Sequence, residues 1–541
     1  MTSSRGADLL ARSLKQAGVR RIFTLSGNHI MPVFDAALSA GLELIHVRHE
    51  AAAVHMADAW ARLTGEPGVA LVTGGPGHAN AVSALYTALM AESPVVLLSG
   101  HAPNNQAGMG AFQEMRQAEM ALPAVKAAWT AAAPGTLGDE LARAIRVALS
   151  GRPGPTHLSL PTDTLEDATG AAPPAVAEFV AQALPLASAD ARAVLDRLSR
   201  ASRPLILAGP ASLTRAGRAR LLALEQASGT PVVGMESPRG VTDPSLGAFA
   251  QMLGQADCVL LLGKRLDFTL KFGQAPAVDA ACEFIQIDAD AAEFERSRAA
   301  LGARLIACLT ADAVSALEAL TALARAGKPA PGAWRAEVGA ALRYRPAAWD
   351  TASAGTADHL HPVQACRPLQ ALLDSHPDSV LVCDGGEFGQ WAQACLSAPN
   401  RVINGPAGAI GSALPFALAA RLAQPEAPVV ALMGDGTFGF HVAEIDTAIR
   451  YRLPFVALIG NDARWNAEYQ IQLKAYGPER LVGCELLPTR YDLVTAAFGG
   501  YGEHVSQSTV LPDAIVRAQA ARLPACLNVA LEGVPAPVVR R

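Results

Sequence analysis

Short apolar runs alternate with longer stretches of helical spacing over the first 165 residues. RIFTLSG (21–27), LELIHVRH (42–49), GVALVTG (68–74) and PVVLLSG (94–100) read as strands. Between them, MPVFDAALSAG (31–41), EAAAVHMADAWARLTG (50–65) and HANAVSALYTALMAES (78–93) have the apolar spacing of helices. Strands and helices joined by short turns predict a parallel sheet covered by helices. Residues 166–188 are rich in Ala and Pro with little periodicity, which marks a linker. RPLILAG, TPVVGM, ADCVLLLG and CEFIQID supply strands for a second α/β block, closed by the loose segments AGKPAPGAW (326–334) and WDTASAGTADHLH (349–361). From there SVLVCDGG, PVVALMGDG, PFVALIGND and ACLNVAL return to the first pattern. The reading is an α/β chain of three doubly wound parallel-sheet domains, at 1–168, 188–345 and 358–541.

A chain of 541 residues exceeds what one hydrophobic core can organise, in keeping with that division. With 51% hydrophobic and 17% charged residues it suits well-buried α/β domains rather than disorder. A formal net charge of −5 argues against a general nucleic-acid surface. The eight cysteines include no C-x-x-C pair, so neither a disulfide framework nor a zinc site is expected, only reduced thiols. The start of the chain has an amphipathic pattern without a signal core, and no apolar run reaches membrane-spanning length. The expectation is a soluble cytoplasmic protein with no membrane partner.

In open parallel sheets ligands gather at the carboxyl ends of strands. The glycine-rich tips SGNH (26–29), TGGPGHAN (73–80), CDGGEFG (383–389) and MGDGTFGF (433–440) are such ends. In the last of these, Asp435 stands between Gly434 and Gly436, where it can offer a hard oxygen to a divalent cation beside an anion at a helix start. A lone G-D-G equally suits a turn with Asp as N-cap. Residues 437–460, 24 in all, then allow one helix and one strand before Asn461-Asp462, which brings Asp462 to the neighbouring tip.

This GDG–(two dozen residues)–ND pattern resembles the cofactor motif of thiamine-diphosphate-dependent enzymes. The resemblance implies Mg²⁺ held by Asp435, Asp462 and the backbone carbonyl of Arg464, with Asp462 in place of the usual Asn. HVRHEAAAVHMADAWARLTG resembles the segment whose glutamate, here Glu50, activates the thiamine ring. Taken alone, a Glu at a helix start is also what the helix dipole favours. GPAGAIGSALPFALAA (405–420) resembles the stretch that bends the cofactor, with Ile410 as the bulky support and the Gly408 carbonyl facing the pyrimidine amino group. Gly386, Glu387, Phe388, Gly436 and Thr437 are the further cofactor-binding residues implied. The match covers essentially the whole chain, and its three domains become pyrimidine-binding, middle Rossmann-like and diphosphate-binding. It also implies at least a homodimer, commonly a homotetramer, with Glu50 meeting the diphosphate domain of the other subunit.

Within the family the chain is similar to acetolactate synthases, benzaldehyde lyase and 2-hydroxyacyl-CoA lyases. GMGAFQEMRQAEM (108–120) places Phe112 and Gln113 beside the reacting carbon. GKRLDFTLKFG (263–273) keeps Arg265 and Asp267 of the acetolactate synthase stretch but lacks its second arginine. RWNAEYQIQLKAYGPERLVG (464–483) looks more like benzaldehyde lyase, as does LSGNHIMPVFDA with His29, which could relay a proton or serve only as a structural histidine. His78, His101 and His441 are secondary candidates, whereas His46, His49 and His55 read as packing or surface. Trp465, Asn466, Glu468, Tyr469 and Leu473 are candidates to line the substrate pocket, Trp465 equally a core residue. Lys264, Arg265 and Lys271 could meet phosphate in the middle domain, but the short stretch after ACLNVAL argues against a full lid over CoA. No FAD fingerprint is evident there, so FAD, ADP or CoA is unsupported.

The implied activity is a C–C lyase or carboligase acting on 2-hydroxy ketones or 2-oxo acids through an ylid and an enamine. Alternatives are a 2-hydroxyacyl-CoA lyase, a 2-oxo-acid decarboxylase, and, from other classes, a flavin-dependent oxidoreductase or a non-catalytic paralogue.

Overall fold

The computed structural model describes residues 4–324 and 332–541. Residues 1–3 of the amphipathic start and 326–331 of the first loose segment lie outside the described residues. The chain divides into two compact units: residues 1–182 with 418–423, and residues 183–417 with 424–541.

The first unit holds a six-stranded parallel sheet built, in chain order, from Arg21–Thr24, Glu43–His46, Gly68–Val72, Val95–His101, Ala127–Thr130 and Thr156–Pro161. Numbered along the chain, their order across the sheet is 2-1-3-4-6-5. The second unit holds two more. A middle sheet of Pro204–Ala208, Val232–Gly234, Cys258–Leu262, Glu283–Asp288 and Leu305–Thr310 runs 2-1-3-4-5. A last sheet of Val380–Cys383, Asn400–Ile403, Val429–Gly434, Phe455–Asn461, Tyr501–Val505 and Pro524–Ala530 repeats the first order, 2-1-3-4-6-5. The fold is therefore α/β with three parallel sheets.

Covering both faces is what makes the strands read as continuous apolar runs. In the middle sheet the alternation is explicit. Leu205, Leu207, Val259 and Leu261 join one core, while Ile206, Ala208, Cys258, Leu260 and Leu262 join the core on the opposite face. In the last sheet Val430, Leu432 and Met433 are fully buried. Each such side chain contributes roughly 1.5–3 kcal/mol to folding. The strands that the hydrophobic pattern does not announce are mostly edges: Ala127–Thr130, Leu305–Thr310, Asn400–Ile403 and Tyr501–Val505. An edge strand is covered less completely, so its sequence is freer to be polar.

All eight cysteines are unbridged thiols. Among the described residues no helix is long and apolar enough to cross a membrane.

Candidate active site

The strand order of the last sheet reverses between Val380–Cys383 and Val429–Gly434, and a crevice opens at their carboxyl ends. There the chain encloses a cavity of about 310 Å³. Most of its wall comes from four strand tips: Gly385–Phe388 after the first strand, Gly408 and Ile410 after the second, Gly434–Thr437 after the third, and Asp462, Arg464 and Trp465 after the fourth. Gly434 pairs in register with Gly460, so Asp435, one residue on, and Asp462, two residues on, leave neighbouring strand tips into the same cavity.

The Asp435 carboxylate lacks what a buried anion needs. Both oxygens of Asp435 are buried without a hydrogen-bond partner. Burial pushes Asp435 up to about 6. Asp462 is pushed up to about 8, by burial first and then by the charge of Asp435. A divalent cation between them would supply the missing counter-charge. Among the described residues no group of three or more His, Cys, Asp or Glu gathers, so such an ion would need further ligands from backbone, water or a bound anion. This donor set fits Mg²⁺ with a diphosphate.

The surrounding residues fix these tips. Asn461 is not turned toward the cavity as a ligand: its Nδ2 donates to Thr489 O (2.9 Å) and Asn528 Oδ1 (3.0 Å), and its Oδ1 accepts from Ala463 N (3.2 Å). Ala463 sits at φ +53°, a strained conformation for a residue with a side chain. The Trp465 ring lies against Gly436, where a Cβ would come within 2.7 Å of it, so only glycine fits. Asp384, fully buried, accepts the N–H groups of Gly385, Gly411 and Ala413 and so shapes the loop carrying Ile410. Asn404 donates to Ala409 O (2.8 Å), and His441 Nδ1 donates to Gly411 O (2.7 Å), completing the hold on that loop. His441 is thus explained as a loop anchor. Asn466 and Glu468 also line the cavity. Tyr469 and Leu473, expected there too, lie further along their helix and do not; the Tyr469 ring instead stacks under the Arg464 guanidinium at 4.2 Å.

In the first unit, Glu50 opens the helix Glu50–Thr64, which His49 caps by accepting from Ala51 N (3.1 Å). Glu50 is buried, and its Oε2 accepts from Asn80 Nδ2 at 3.0 Å. A Cβ built on Gly77 would stand 2.7 Å from Thr73 and 3.3 Å from Glu50, so the Thr73–Gly77 turn packs directly on the carboxylate. Thr73 also meets His29, whose Nδ1 lies 3.2 Å from its hydroxyl. Burial holds the His29 imidazole below its usual pKa, favouring a neutral ring. Phe112, two-thirds exposed, stacks on His29 with centroids 6.0 Å apart. Gln113, at φ +58°, packs against Gly75. One turn therefore gathers Glu50, His29, Phe112 and Gln113.

The secondary histidines of this unit do other work. His78 turns inward, 2.9 Å from Ser99 Oγ and 4.4 Å between rings from His157. His101 meets the carbonyls of Ala102 and Met115, and His46 ties to Ser26. Of the residues that sequence reasoning passed over, Asp384, Thr73 and Asn80 lay inside the tips it had marked. Arg239, Asn404 and Gln390, which also line the cavity, carried no such signal.

A metal-ready carboxylate pair at the switch point of a parallel sheet defines a diphosphate-binding α/β protein. The chain belongs to the thiamine pyrophosphate enzyme family. Residues 4–120 match the N-terminal thiamine pyrophosphate binding domain, 191–320 the central domain and 384–529 the C-terminal thiamine pyrophosphate binding domain of these enzymes. The chain is 36% identical over 536 residues to the acetolactate synthase large subunit IlvG of Mycobacterium tuberculosis, covering 96% of this chain and 94% of that one. It is 32% identical to 2-hydroxyacyl-CoA lyase 2 of Homo sapiens, over 92% and 84% of the two chains, and 30% identical to that of Danio rerio, over 95% and 89%. It is a thiamine-diphosphate-dependent enzyme of the carboligase and lyase group.

Proposed function

We propose that this enzyme makes or breaks the C–C bond next to the carbonyl of 2-hydroxy ketones or 2-oxo acids. The observation that carries it is the Asp435 carboxylate, buried without a hydrogen-bond partner beside Asp462 in a cavity at the sheet's switch point. Bound thiamine diphosphate supplies a carbanion equivalent and an electron sink. Asp435, Asp462 and the Arg464 carbonyl would hold its Mg²⁺. Gly386, Phe388, Gly436 and Thr437 would surround the diphosphate, and Gly408 and Ile410 the pyrimidine. Glu50 would hold a proton toward the cofactor ring, with Asn80 fixing its other oxygen. His29, aimed by Thr73, exchanges a proton with the substrate oxygen, Gln113 orients that oxygen, and Phe112 and Trp465 exclude water.

The working unit is a homodimer or homotetramer. Helix Asn466–Tyr476 buries no residue, and it and the following loop expose Ile471, Tyr476, Val482 and Leu487, a face that suits a second copy. Its place is the cytoplasm, in keeping with eight unbridged thiols.

A second reading, cleavage of a 2-hydroxyacyl-CoA, draws support from a cavity of about 970 Å³ in the second unit. Residues 536–540, short as they are, form one wall of it against the middle block. Lys271 and Arg540 line it together with Gln251, Gln255 and Gln274, and among the described residues no carboxylate does. Incubating the Mg²⁺- and thiamine diphosphate-loaded enzyme with benzoin, pyruvate or a 2-hydroxyacyl-CoA separates the readings. Product from a hydroxy ketone or oxo acid supports the first, product from the thioester alone supports the second, and no product from any of the three overturns both.

A further inference from the structure

Two carboxylates at the cofactor cavity, Glu387 and Glu468, are left over by the metal and ring-binding roles. Glu387 occupies the first turn of the helix Gly386–Cys395, where a helix start favours an incoming anion. Its side chain is only 10% exposed, and it lines the same cavity as Asp435 and Asp462. With Glu468, four carboxylates thus line a space that must accept a diphosphate. A divalent cation offsets the Asp435–Asp462 pair, but Glu387 belongs to a different strand tip and needs a counter-charge of its own.

The middle block supplies it. Arg239 Nη2 donates to Glu387 Oε2 at 2.9 Å and lines the same cavity. The arginine follows the strand Val232–Gly234 on a turn pinned at both sides. Its N–H donates to Ser237 Oγ (3.2 Å), and its carbonyl accepts from Thr242 Oγ1 (2.8 Å). The ion pair is therefore built from two separately anchored backbones.

We propose that Arg239 is a positioning residue for the cofactor: it neutralises Glu387 and so allows the diphosphate to settle at the Gly386 end of this helix. Without it, the carboxylate repels the diphosphate from a partly desolvated seat, where like charges interact more strongly than in water. The proposal rests on reading this cavity as the diphosphate seat. It distinguishes Arg239 from a substrate anchor, because a charge mask becomes unnecessary once the charge it masks is removed.

The test is thiamine diphosphate binding to the full chain at saturating Mg²⁺, followed by titration calorimetry for wild type, Arg239→Ala, Glu387→Gln, the double variant and Asp435→Ala. Arg239→Ala is expected to weaken binding about tenfold or more, and adding Glu387→Gln to bring it back within about threefold of wild type. Glu387→Gln alone should bind at least as tightly as wild type. Unchanged affinity in Arg239→Ala overturns the proposal, as does a double variant as weak as Arg239→Ala. If Arg239→Ala fails to fold, Glu387→Gln decides: tenfold weaker binding there would overturn the idea. Asp435→Ala separates the two layers, since unchanged binding in that variant removes the seat itself, and the proposal with it. Weak binding in Asp435→Ala beside normal binding in Arg239→Ala rejects the charge mask alone.

Discussion

Two buried groups show how far single residues control this enzyme. Asp435 has two buried, unpartnered oxygens, and no other side chain takes its place if it is lost. Asp435→Ala is expected to raise the Kd for thiamine diphosphate at saturating Mg²⁺ by about 100-fold. Asp462→Asn keeps a hard oxygen at the second tip while removing the charge that Asp435 opposes. It should bind within about threefold of wild type; tenfold or greater loss would show that the clamp needs two charges. His78 is the second group. Burial pushes it down to about 4, and His157 beside it falls well below the usual imidazole range. The unfolded chain binds a proton at His78 below about pH 6.5, while the folded chain does so only near pH 4. Stability is thus full above the unfolded pKa and declines as pH falls toward 4, by up to about 3 kcal/mol from His78. The urea midpoint measured at pH 7.5 and pH 5 should show this drop, and His78→Asn should shrink it. An equal drop in the variant would place the effect elsewhere.

At the scale of elements, the loop 404–413 is shaped by side chains outside it as much as by its own glycines. Asp384 gathers three N–H groups, and Asn404 and His441 each hold one carbonyl. Asp384→Asn puts an NH₂ where the carboxylate accepts bonds, leaving buried donors facing one another. A destabilisation of about 1–3 kcal/mol is expected, with weaker cofactor binding, because Ile410 rides on this loop. Chemical denaturation and cofactor titration check it together, and a stable variant with normal binding would contradict the loop's dependence on Asp384. The G-D-G turn has a sharper limit. Gly436→Ala sets a methyl against the Trp465 ring, so the ring must shift into the cavity or the turn must open. Altered Trp fluorescence and loss of cofactor binding are the expected readouts.

At the scale of the molecule, the segment after the last strand links distant parts of the second unit. Leu531 N donates to Asn461 O, Gly533 O accepts from Gln470, Val534 O from Asn466, and Pro535 O from Trp391. Arg541 N reaches Gln251 in the middle block. Ending the chain after Gly533 should loosen the loop 461–466, seen as faster hydrogen exchange there and a weaker hold on Mg²⁺. Protection equal to that of the full chain would show that the segment is not needed for the metal loop. The first and last sheets share the strand order 2-1-3-4-6-5, so one architecture serves both units. Ligand crevices form where that order reverses, and the gathered residues of each unit lie at such strand ends.

Much of this was legible in the chain itself. Apolar runs set between helical spacings fix a covered parallel sheet, because a strand buried on both faces has no polar side to show. Glycine-flanked acids at strand tips point to metal and diphosphate, because few other residues suit that backbone and that charge. Asp435 was readable on those grounds and Asp462 from its spacing to the G-D-G, whereas Glu50 and Ile410 were named only through the resemblance to thiamine-diphosphate-dependent enzymes. Only tertiary structure decided the rest. Edge strands carry little hydrophobic signal, so Asn400–Ile403 and Tyr501–Val505 emerge only from pairing. Tyr469 and Leu473 share a helix with cavity residues but face elsewhere, which helical rotation alone does not fix without the neighbours it packs against. The Arg239–Glu387 pair joins positions 148 residues apart. Local sequence constrains neighbouring backbone, whereas a contact of that range is chosen by how two separately folded sheets come to rest within one unit.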